Sequence, residues 1–68
     1  MFGGDLPKAI ESFQKSLAID SSQDETWVWL AKAFQKHGDK AKSHDALQHA
    51  LTLNPDSPWV KDAANSLN

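Results

Sequence analysis

Apolar residues recur along this chain every three or four positions, in four blocks separated by short polar breaks. Leu6, Ala9, Ile10, Phe13 and Leu17 follow the helical period and predict a helix from about residue 6 to 19. Trp27, Leu30, Ala31 and Phe34 share one face of a second helix, expected from about Gln23 to His37. In that set two large rings flank the small Ala31, a ridge with a notch that another helix can enter closely. Leu47, Ala50 and Leu51 give a third helix, from about Lys40 to Leu53, an apolar face of its own. The last segment, Trp59 to Asn68, is amphipathic through Val60, Ala63, Ala64 and Leu67.

The breaks carry their own signals. Gly3-Gly4-Asp5 reads as a turn, with Asp5 as a cap and Pro7 tolerated in the first helical turn, where its missing N–H had no partner. Ser22 and Glu25 have the spacing of a capping box for the second helix. Gly38 supplies the left-handed residue that ends it, and Asp39 caps the third. Pro55 stops that helix, and Ser57 with Pro58 restarts one in cap and first-turn positions. The expected fold is all-α: about four helices, stacked as antiparallel hairpins.

Comparing the chain with itself at an offset of 34 shows why the blocks look alike. Gly4, Asp5, Lys8, Gln14 and Leu17 meet Gly38, Asp39, Lys42, Gln48 and Leu51, and Ile19 meets Leu53. The central block also resembles the tetratricopeptide repeat, whose pattern is Trp-x-x-Leu-Gly-x-x-Tyr, then Ala-x-x-x-Phe, then Pro, over ~34 residues. Trp27, Leu30, Ala31 and Phe34 stand at the first four of those places, Ser43 and Leu47 at the next two, Pro55 at the last. Ser43 is the weakest match, because a hydroxyl at a close helix contact needs an acceptor. Ala9-x-x-x-Phe13 repeats the family's Ala-x-x-x-Phe without alteration. The resemblance divides the chain into the second half of a repeat (3–22), one complete repeat (23–56) and a C-terminal segment (57–68). At +34 from Trp27 and Phe34 the last segment holds Lys61 and Asn68, so it reads as a capping helix, the alternative being the first helix of a further repeat.

The resemblance implies a protein–protein interaction module that holds a peptide or helix on the first-helix surface of the repeat. Glu25, Val28, Trp29, Lys32, Gln35 and Lys36 would line that surface, with Trp29 beside two lysines as an anchor. The carboxylate-clamp variant of this activity is not expected, since Glu25, Val28 and Trp29 occupy places where clamps carry polar or basic groups. The competing reading is structural: Leu6, Ile10, Phe13 and Leu17 lack a preceding partner helix and would drive self-association, giving a homodimer with no separate ligand.

Composition narrows the remaining classes. Sixty-eight residues make one small domain, and with no cysteine there is neither a disulfide nor a thiolate metal site. A hydrophobic share of 40% supports a thin core, and no run approaches the ~18 apolar residues of a membrane span. The start lacks signal-peptide features, which together with the missing cysteines fits a cytoplasmic protein. Seven basic against nine acidic residues give no positive groove for nucleic acid. His44 and His49 are five apart and diverge on a helix, so no metal site is expected; Asp45 and His49, four apart, suit a surface pair. No nucleophile–base constellation or phosphate-binding loop occurs, so neither catalysis nor a cofactor is expected.

Overall fold

The computed structural model describes residues 6–67, and over them the chain forms four α-helices: α1 (Leu6–Ile19), α2 (Asp24–His37), α3 (Lys40–Leu53) and α4 (Pro58–Leu67). The expected turn at Gly3-Gly4-Asp5 lies outside the described residues. Helix α2 packs against all three of the others, whereas α1 makes no close approach to α3 or α4. The core is correspondingly thin, running from Ile10 and Leu17 through Val28, Leu30, Ala31, Ala33 and Phe34 to Ala46, Leu47, Ala50, Val60 and Ala63.

The α2–α3 hairpin is built at Gly38. Its φ of 93° lies in the left-handed region. Its N–H donates to the Gln35 carbonyl at 3.1 Å and the Asp39 N–H donates to that of Phe34 at 2.9 Å. This pair of bonds satisfies carbonyls that the end of α2 would otherwise leave bare. The carboxylate of Asp39 then accepts from the Lys42 N–H at 3.2 Å and caps α3. The helices lie antiparallel, so Ser43 faces Ala31 near the turn and Asn54 meets Asp24 at the far end. Ala31 and Ala50 are fully buried, and the Ser43 hydroxyl finds its acceptor in the Ala31 carbonyl at 2.8 Å. The weak match in the repeat pattern is thus a satisfied polar contact.

The two junctions between hairpins share one backbone frame, 34 residues apart. Asp20 N donates to Ser16 O and Trp27 N to Gln23 O at the first; Asn54 N donates to Ala50 O and Lys61 N to Ser57 O at the second. Side chains treat the junctions differently. At the first, the expected capping box does not form, because Ser22 turns to Asp20, its hydroxyl donating to Oδ1 at 2.5 Å and its N–H at 3.0 Å. These two bonds hold the exposed Asp20 carboxyl below its usual 3.8. The lowered folded-state value means their stabilisation is present above the usual carboxylate range and is lost as pH falls through it.

Gln23 takes the cap position of α2 instead and ties it to α1. Its amide donates to the carbonyls of Ser16 (3.0 Å) and Asp20 (2.8 Å), and its oxygen accepts from the hydroxyls of Ser16 (3.2 Å) and Thr26 (3.1 Å). At the second junction Ser57 precedes Pro58 as expected, yet its buried hydroxyl makes no hydrogen bond.

One expectation is corrected here. The face of α1 expected to stand open does not: Ile10 and Leu17 are buried, and Leu6 and Phe13 are half-buried against the same core. Helix α2 covers much of it within the single chain. The apolar side chains left most exposed are Ile19, Leu53 and Trp59.

Two substitutions test this frame. Gly38→Ala meets no atom within 4 Å, so its cost is the left-handed backbone alone, about 1–2 kcal/mol. A thermal melt should show the midpoint fall by several degrees, and an unchanged midpoint would contradict the turn. Ser43→Ala removes one donor while keeping the volume close, for a loss of at most about 1 kcal/mol. Ser43→Val forces a second methyl group against the fully buried Ala31 and should cost about 1–3 kcal/mol in the same denaturation series.

Candidate functional site

Among the described residues, grooves open on different sides of α2. The first lies between α1 and α3, which stand apart over α2 and leave its Trp27, Leu30 and Phe34 as the floor. Its volume is ≈ 490 Å³, with Leu17, Ala18 and Ala46 among the apolar walls and Lys42 and Asp45 on the rim. Lys42 sits 3.9 Å from Asp39 and 5.8 Å from the centre of the Phe34 ring, and Asp45 lies 3.9 Å from His49. Trp27 is half-buried, stacked on the His49 imidazole at 4.2 Å with planes 14° apart, and its indole N–H donates to the Ser21 carbonyl at 2.8 Å.

The second groove is a smaller cleft of ≈ 140 Å³ between α2 and α4, lined by Glu25, Val28, Trp29, Lys32 and Trp59. Positions 25, 28, 29 and 32 fall on one stripe of α2, since they are spaced by three and four. Four of the six lining residues expected from the sequence are therefore brought together. Gln35 and Lys36 are exposed on α2 but do not line the cleft. Val28 is placed differently from its expectation: it is 3% exposed, because α4 closes over that side of α2 and makes it the floor rather than a free anchor.

Trp29 is half-exposed, and the Lys32 ammonium lies 5.2 Å from the centre of its ring, within reach of a cation–π contact. Glu25 is exposed at the other end of the stripe. The opposite wall is Trp59, 46% exposed, whose indole N–H donates to Asp24 Oδ2 at 3.0 Å. The same oxygen accepts from the Asn54 amide at 3.5 Å. One carboxylate in the first turn of α2 thus fixes the α3–α4 connection and the ring of Trp59 together, at a helix end where negative charge is favoured.

Trp59 is the cleft residue that sequence reading missed. It lies outside the repeat pattern, and its partner Asp24 is 35 residues away. The signal available was a large aromatic residue beside Pro58 on a segment where the places equivalent to Trp27 and Phe34 hold Lys61 and Asn68.

Among the described residues no group of three or more His, Asp or Glu side chains is placed to hold a metal ion. Nor is any helix among them long and apolar enough to cross a membrane.

Asp24→Ala should release Trp59 and loosen α4 first. Amide hydrogen exchange in α4 is expected to rise about fivefold, from the loss of roughly 1 kcal/mol of hydrogen bonding, with α3 much less affected. Asp24→Asn keeps an acceptor and should fall between. Uniform exchange changes across all four helices would argue against this local role.

Two family profiles match the sequence, one described as TPR repeat over residues 3–38 and one as tetratricopeptide repeat over residues 24–57. No curated protein and no solved structure matches the chain. Together with the four-helix hairpin stack, the first of these matches alone spanning more than half of the sequence, they show that the chain belongs to the tetratricopeptide repeat family.

Proposed function

We propose that this chain is a peptide-recognition module whose contact site is the α2–α4 cleft. Repeats of this family generally mediate protein–protein interaction and are typically non-enzymatic. The observation that carries the finer reading is the convergence of Glu25, Trp29 and Lys32 with Trp59 around one opening. Indoles beside a cation, on rigid helices, have the composition of an interface hot spot. The ring of Trp59 is oriented by Asp24 before any partner arrives, so little freedom remains to be lost there on binding.

The mechanism is passive. A side chain of the partner fills the opening, displaces water from the indole faces and leaves its charged groups at the rim. With ≈ 140 Å³ the cleft falls well short of the ~300–1,000 Å³ of a small-molecule pocket, which favours one protruding side chain over a whole metabolite. A homo-oligomeric role gains no comparable support, because Ile10 and Leu17 are already buried.

Peptides selected from a random display library against the full chain provide the test. Trp29→Ala is expected to weaken a selected peptide at least about tenfold, the loss typical of a buried aromatic anchor. Ala18→Arg, which fills the separate α1–α3 groove from an exposed position, should leave binding unchanged. The reverse pattern would move the site to the larger groove.

A further inference from the structure

The cleft between α2 and α4 has a polarity that its apolar lining does not suggest. Glu25 and Lys32 stand at its two ends, seven residues apart on one stripe of α2, hence about 10 Å along the helix axis. Glu25 has no ion pair among the described residues, and the one contact of the Lys32 ammonium is with the Trp29 ring. In the larger groove Lys42 lies 3.9 Å from Asp39, and Asp45 lies 3.9 Å from an imidazole that pairs with it when protonated. The small cleft offers a ligand one carboxylate and one ammonium that hold no ion partner among the described residues.

Building on the peptide-binding reading above, we propose that the cleft recognises an extended segment carrying a basic residue, an apolar one and an acidic one at alternate positions. The basic group meets Glu25, the apolar side chain enters between Trp29 and Trp59 over Val28, and the carboxylate meets Lys32. An extended chain rises about 3.3 Å per residue and points alternate side chains the same way, so positions i and i+4 lie about 13 Å apart on one face. The excess of about 3 Å over the Glu25–Lys32 rise is within the reach of those two long side chains. A helical ligand matches the spacing less well. Charges seven apart on a helix have two further side chains between them on the same face, and the opening admits one.

The segment also excludes its simplest rivals. An all-acidic peptide places a carboxylate against Glu25, and an all-basic one places a cation against Lys32. Each mismatch replaces an attraction with a repulsion at an exposed rim, where single pairs contribute modestly and are screened by salt.

The test uses three acetylated, amidated peptides with the full chain: Ser-Arg-Ala-Leu-Ala-Asp-Ser, and the versions with Arg at both charged places or Asp at both. Titration followed by calorimetry or amide chemical shifts at low salt should rank the mixed-charge peptide first, by about threefold to tenfold over either rival. Glu25→Lys should transfer the preference to the all-acidic peptide, and Lys32→Glu to the all-basic one. Both positions lie on the surface stripe of α2, and circular dichroism checks that each variant keeps its helices.

Equal binding of all three peptides, lost together in Trp29→Ala, would overturn the charge register while leaving the cleft as the binding site. Binding unaffected by Trp29→Ala and Trp59→Ala, or no binding by any peptide at millimolar concentration, would overturn the cleft reading and the register with it.

Discussion

Four helices of ten to fourteen residues have little apolar surface to share, and this fold shares it by making one helix the neighbour of all the rest. Helix α2 buries Val28, Leu30, Ala31, Ala33 and Phe34, which fall on several sides of its circumference. The constraint that permits this is side-chain size. Ala31 and Ala33, on different sides of α2, have no exposed surface, and opposite Ala31 stands the equally small Ser43, so α3 approaches closely on one side while α1 and α4 dock on others. Larger residues at these positions would force the neighbours outward, and a chain of 68 residues has no second core to fall back on. Because α1 and α3 both need α2 but not each other, a gap between them is unavoidable. The larger groove follows from that geometry and needs no ligand to explain it.

Much of this organisation was legible in the residues because the local signals agreed with one another. Gly38 and Asp39 form a stop and a start whose chemistry is satisfied entirely within nine residues, from Phe34 to Lys42. Helix limits came within a residue or two for the same reason. The junction at residues 20–24 was misread because two local choices compete there. Ser22 can cap α2 or bond to Asp20, and the turn that lets Gln23 reach back to Ser16 favours the second. Spacing alone does not decide between them.

The site was half legible for a different reason. A periodic pattern marks which residues share a stripe of α2, so Glu25, Trp29 and Lys32 were found together. The pattern says nothing of where the final helix closes. That position decided the fate of Val28, which is buried, and of Trp59, which became a wall of the cleft. That closure combines the burial of Val60 and Ala63 with the Asp24–Trp59 hydrogen bond, a contact of long sequence separation between residue types that no repeat motif pairs.

Positions 23 and 57, 34 residues apart, hold the same place in the backbone frame of the two junctions, and they are furnished unequally. Gln23 is laced to α1 and α2 by four side-chain hydrogen bonds, while the Ser57 hydroxyl reaches nothing. The first joint is braced by polar side chains, whereas the second is seated by the fully buried Val60 and Ala63 and steadied by the Asp24 carboxylate. A substitution that enlarges Ala63 therefore acts directly on the mouth a visiting side chain must enter, because the helix it seats is also the outer wall of the cleft.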